Sequence, residues 1–270
     1  VESLPLVLYT SLLEVVVGTF AILMLTDFRG ELGRGFLSSV GLTVLVVAAC
    51  ARLSLSGIDF GRGQELYPGI DLAWNGFQDT FLTITLILLV VYNLMVGLGT
   101  DKARRVSGVV ALVAACLTLF AVAMLYRGSY LGGLIAPFSF FLGAASVGTV
   151  LTGMLLGHWY LVTPSLTVAP LARINQLFFY ALIGQLVLVI VNAGPWVSNS
   201  LAVNEKWGAI FWLRVLVGIA FPMVLSYATM QTCKIKAHMS STGFLYVALG
   251  GVLAGEIISR VILFQTFVPL

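Results

Sequence analysis

Charge is what this sequence has least of: Asp, Glu, Lys and Arg make up 9% of its 270 residues, and 60% are hydrophobic. A soluble domain carries about 25% charged residues, so water is excluded as the solvent for most of the chain. The mean hydropathy of +1.06 agrees. Cysteine is scarce too, at three residues. Cys50, Cys116 and Cys233 stand far apart with no CxxC or Cys/His grouping, so neither a zinc site nor an iron–sulfur cluster is encoded, and an odd count argues against a disulfide framework. Histidine occurs twice, as His158 and His238. His238 sits in the basic stretch Lys234–His238, so a b-type haem held by two histidines from spanning helices lacks its second ligand; this argues against haem b. HExxH, GxSxG and paired-aspartate motifs are absent, which counts against a membrane enzyme acting on lipids or isoprenoids. The net charge of +3 is scattered over short loops and forms no basic stripe for nucleic acid.

What the chain does have is long apolar runs, near residues 4–26, 35–56, 79–99, 106–126, 134–158, 174–195, 208–232 and 244–267. Each is long enough for one helical crossing of a bilayer, which takes roughly 20 residues. None alternates as a barrel strand does, and an open sheet would strand its backbone polar groups in lipid. The expectation is an all-α polytopic membrane bundle of about eight transmembrane helices, a single transmembrane domain over residues 1–270. The first run has no basic leader and no small-residue cleavage site, so it counts as a helix of the fold. Pro137 and Pro222 predict kinks or a helix start. Loops after odd-numbered spans hold Arg29, Arg34, Lys102, Arg104, Arg105, Arg173, Lys234 and Lys236, whereas the opposite loops hold only Arg62, Arg127 and Lys206. The cytoplasmic set is the richer one, which puts both termini outside, N-out and C-out, together with the longest loop, 57–78. That loop carries Asp59, Glu65, Tyr67, Asp71, Trp74 and several glycines, a composition suited to docking a partner and equally to an ordinary solvated loop.

Five charges fall inside the expected spans: Glu14, Arg52, Arg214, Glu256 and Arg260. Each costs about 2.5–3.5 kcal/mol there on insertion scales. Counting along each span puts the three arginines in the outer half and the two carboxylates nearer the middle. Glu256 and Arg260 are four residues apart, so they share a helix face, can pair, and should turn that face inward. On one reading these groups only neutralise one another and fix packing. On the other they line a polar pocket in which Glu14 and Glu256 exchange protons while Arg214 and Arg260, with Arg52 and His158 as weaker candidates, hold a carbonyl oxygen, a combination that suits a quinone. His158 in Gly157–His158–Trp159–Tyr160 reads equally as an interfacial anchor, a proton or quinone ligand, or, third, a single-histidine haem ligand. Asn93, Asn175, Gln176, Gln185 and Asn192 read first as amide glue between helices, Gly251–Gly255 as a GxxxG seam, and Ser240–Gly243 as a helix start with hydroxyl caps.

The run Gly255–Glu256–Ile257–Ile258–Ser259–Arg260–Val261–Ile262–Leu263–Phe264 resembles the Gly-Glu…Gly-Arg…Leu-Phe segment that ends the dimethyl-sulfoxide-reductase anchor, with Ser259 where a glycine is usual. The eight-span topology with both termini outside also resembles that family, the quinol-interacting membrane anchors of respiratory molybdoenzymes, with their polysulfide-reductase (NrfD-like) relatives. The resemblance implies an integral protein of the bacterial inner (cytoplasmic) membrane that binds menaquinone or ubiquinone without haem. It also implies an extrinsic iron–sulfur or multihaem cytochrome subunit on the outer face. A proton-coupled secondary transporter and a purely structural membrane subunit are the competing expectations; repeated halves with corresponding broken helices would mark the first, and buried charges paired without a cavity the second.

Overall fold

A computed structural model of the chain describes residues 4–58, 70–127, 133–163, 166–192, 205–266 and 268–270. The described residues are helical nearly throughout: α1 (Leu4–Arg29), α2 (Arg34–Ser56), α3 (Asn75–Leu98, entered through a 3-10 turn at Leu72–Trp74), α4 (Asp101–Leu125), α5 (Ile135–Val162) and α6 (Ala169–Val191). The seventh span is α7 (Glu205–Val215), a π-helical turn (Leu216–Ala220) and α8 (Phe221–Lys234) in sequence, and the eighth is α9 (His238–Thr266). Among the described residues, eight helices are long and apolar enough to cross a membrane. The protein is an all-α, integral membrane protein, as composition required.

Several helices overrun the apolar segments that announce them. α4 begins at Asp101 and α9 at His238, five and six residues ahead of the hydropathy boundaries. Hydropathy marks where lipid ends, while the backbone stays helical through charged residues of good helix propensity such as Lys102 and Arg104. Ser240–Gly243 therefore lie inside α9 and cap nothing: Ser241 Oγ donates back to Ala237 O and Thr242 Oγ1 to His238 O. Pro137 is the third residue of α5, a helix start. Pro222 stands two residues beyond the π-turn, whose wider winding accommodates a ring that would otherwise crowd the carbonyl of Gly218. Residues 59–69 of the 57–78 loop, including Asp59, Glu65 and Tyr67, lie outside the described residues, and its last seven residues are helical. Asp71 and Trp74 are described, and Asp71 accepts from Arg127 Nη2 at 3.3 Å.

Packing divides the chain into two compact units, Val1–Ala144 and Ala145–Leu270, with the division inside α5. Lipid offers no hydrophobic drive between helices, so close approach and interhelical hydrogen bonds hold each unit. In the first, α4 buries Gly108, Ala111, Ala115 and Thr118 along one face, and a Cβ on Gly108 would overlap the Sδ of Met24. Asn93 of α3 donates to Gly41 O of α2 at 3.2 Å. The α3–α4 connection needs a left-handed residue, supplied by Gly99 at φ 75°, whose carbonyl accepts from Arg34. In the second unit, Asn175 of α6 donates to Ser226 O of α8 at 2.9 Å. The Gly251–Gly255 seam of α9 lies on the π-turn. A Cβ on Gly251 would come 2.8 Å from Val217 O, and one on Gly255 would overlap Gly218 Cα.

Candidate functional site

All four spans of the second unit contribute to one buried polar group. Glu256 of α9 is at its centre, 1% exposed. Its Oε1 accepts from Gln185 Nε2 of α6 at 2.6 Å and lies 3.1 Å from Nη2 of Arg214, the penultimate residue of α7. Its Oε2 lies 3.5 Å from Nη2 of Arg260, one turn further along α9. Gln185 Nε2 also reaches Ser146 Oγ of α5 at 2.7 Å, and Gln185 Oε1 accepts from Arg214 Nη2 at 3.2 Å. The carboxamide thus bridges the carboxylate and the guanidinium and fixes both. The pairing of Glu256 with Arg260 follows the four-residue spacing. Arg214 comes from another span, and Gln185, read from sequence as packing glue, turns out to be the hub.

The glycine seam and the π-turn position Arg214. With no Cβ on Gly218 or Gly255 the two backbones meet, and Arg214 Nη1 lies 3.0 and 2.8 Å from where those Cβ atoms would be. Its Nη2 is engaged by Glu256 and Gln185. Its Nε and Nη1 are buried with no hydrogen-bond partner among the described residues. The arrangement therefore offers a carboxylate that can carry a proton, next to guanidinium donors with spare capacity, away from water.

The remaining candidates lie elsewhere. Glu14 is fully buried in α1, in the first unit. Arg52, also in the first unit, is 38% exposed. It lies one turn from the end of α2 and pairs with Asp79 at 2.7 Å, since a long side chain near a helix end reaches polar surroundings and a partner at little cost. His158 is exposed near the end of α5, its Nε2 3.0 Å from the hydroxyl of Tyr246. His238 opens α9 and stacks on Tyr160, ring centroids 4.7 Å apart.

Sequence reading missed a second buried charge group, because hydropathy assigned its members to loops. Asp27 in the last turn of α1 takes a two-pronged bond from Arg104 in the first turn of α4, 2.9 Å to Nε and 2.6 Å to Nη2. Arg104 also binds Asp101 at 2.7 Å. The available signal was Asp101 three residues before Arg104 at a helix start, which stations the arginine.

No family model, curated protein or solved structure matches this chain. Fold and site together define its class: an α-helical membrane protein with eight spans among the described residues and an arginine–carboxylate group enclosed in its second unit.

Proposed function

We propose that the chain is the quinone-linked membrane subunit of a respiratory oxidoreductase, binding menaquinone or ubiquinone beside Arg214 and Glu256 and serving an extrinsic iron–sulfur or multihaem cytochrome subunit on the outer face. The observation that carries this reading is Arg214, 1% exposed yet with Nε and Nη1 unused by any described residue. Buried donors without acceptors cost free energy, and ionisable groups within spans are functional by default. An acceptor oxygen on an apolar ring answers both points. The donor set fits a quinone: guanidinium N–H groups for a carbonyl oxygen, and a carboxylate beside them. The chemistry a quinone supplies when bound is the exchange of two electrons and two protons. Glu256 would take up and release the proton, Arg214 and Arg260 would hold its two oxygens, and Gln185 would orient Oε1. Glu14 is the second candidate for proton exchange. Arg52 is left out because Asp79 already engages it. His158 is left out because its partner Tyr246 is ten residues before Glu256 on α9, about 15 Å along the helix.

The competing reading is a proton-coupled secondary transporter; among the described residues only the second unit has an interrupted helix, where repeated halves would carry corresponding ones. One experiment separates the two. The protein is purified from its native membranes in mild detergent, co-purifying subunits are identified by mass spectrometry, and a reduced-minus-oxidised spectrum is recorded. Iron–sulfur or multihaem subunits with bound quinone are the expected result. A chain purified alone, without redox partner or quinone, would overturn the first reading and advance transport or a purely structural role.

A further inference from the structure

A cleft opens at the other end of the second unit, between α5 and α9, lined by Gly157, His158, Met239, Thr242, Gly243 and Tyr246, with a volume of about 230 Å³. Gly157 lets Thr242 pack directly against α5, since a Cβ there would overlap it, and Gly243 leaves the floor of the cleft open, with nothing within 4 Å of a Cβ there. Pockets that enclose a small molecule start at roughly 300 Å³, so this space suits a chain segment laid along it better than a whole ring system. Its surroundings are apolar and exposed. Met239 is 77% exposed and Ile235 75% exposed. At its rim His158 Nε2 and Tyr246 OH, 3.0 Å apart, present polar atoms beside an otherwise apolar wall.

Charge identifies the occupant. The second unit contains two carboxylates, Glu205 and Glu256. Glu256 is buried in the group described above, and Glu205 begins α7, at the opposite end of the unit from this cleft. At the cleft end the chain turns from α8 to α9 through Lys234–Ile235–Lys236–Ala237, with Lys236 at φ 58° and both lysines exposed, and Met239 of the cleft follows three residues later. α6 starts at the same end with Arg173 in its second turn. Cations without carboxylates, next to an apolar cleft on a lipid-facing surface, complement a molecule with a negative head and a hydrocarbon tail.

We infer that this cleft is a binding site for an anionic phospholipid, with the phosphate held by Lys234 and Lys236 at its mouth and an acyl chain running along Thr242 and Gly243 toward the His158–Tyr246 pair. Basic pockets between spanning helices recognise anionic headgroups in this way, and each lysine near the surface adds about fivefold to the attraction. The site is separate from the Arg214–Glu256 group, so the two proposals stand or fall apart.

The test is native mass spectrometry of the purified full chain titrated with phosphatidylglycerol and with phosphatidylcholine. The wild type should bind the anionic lipid about tenfold more tightly. Gly243→Leu, which fills open space, should weaken both lipids at least fivefold. The exposed double variant Lys234→Gln/Lys236→Gln should bring phosphatidylglycerol down to the level of phosphatidylcholine and leave the latter unchanged, a result that does not depend on how α9 tolerates the leucine. Equal affinity for the two lipids in the wild type would overturn the inference. So would a lipid preference that survives the double lysine variant, or co-purifying quinone that Gly243→Leu displaces, which would make the cleft a quinone site.

Discussion

The two units each bury an arginine–carboxylate group, and the groups are built differently. Asp27 and Arg104 meet fork to fork, 77 residues apart in sequence, at the ends of α1 and α4, and Asp101 takes another of the arginine's donors. Glu256, Arg214, Arg260 and Gln185 meet in mid-span, where one carboxylate is shared among three donor side chains and Arg214 keeps two nitrogens unused by the described residues. In the first, at helix termini, all three nitrogens of Arg104 are engaged by carboxylates, and Arg105 adds a bond from Nη2 to Asp27 O at 3.2 Å. The second is open at the arginine. Identical side-chain chemistry thus closes around the arginine in one place and leaves donors over in the other, where the proposed function puts a ligand, and what separates them is whether every nitrogen of the central arginine is used.

This contrast can be broken at its steric base first. Gly255→Ala sets a Cβ against backbone at Gly218 as well as against Arg214, so it should destabilise the protein by about 3 kcal/mol or more, whereas Gly108→Ala meets side chains alone, the flexible end of Met24 and less closely the Tyr92 ring, and should cost about 1–2 kcal/mol. Unfolding titrations in mixed micelles measure both, and equal effects would remove the distinction between the seams. Next, Asp27→Asn leaves Arg104 buried without its carboxylate and should cost about 3 kcal/mol by the same titration, with quinone retention unchanged. Smallest is Arg52→Ala, below about 1 kcal/mol, because the Arg52–Asp79 pair is half exposed and screened. A larger loss there would mean that the pair belongs with the buried groups.

Much of the fold was legible because the solvent writes it: eight apolar runs of spanning length can be little else than eight helices. The same signal misplaced helix ends and hid Asp27 and Arg104, since hydropathy reports lipid and not hydrogen bonding. Within the candidate site, Glu256 with Arg260 was readable from a local spacing on one helix. Arg214 and Gln185 joining them was not, because nothing in a single sequence says which faces of separate helices meet. The GxxxG seam was visible but common in a chain with 28 glycines; its meaning came from the π-turn opposite, of which Pro222 was the only trace. The division into two units leaves no linker to read, for it falls inside α5.

The most direct test of the open-versus-closed account is the quinone content of the purified protein, quantified by extraction and mass spectrometry for the wild type, Arg214→Gln and Asp27→Asn. The account predicts at least a tenfold loss of bound quinone in Arg214→Gln and wild-type content in folded Asp27→Asn. Quinone retained in full by Arg214→Gln, or lost equally from both variants, would contradict it.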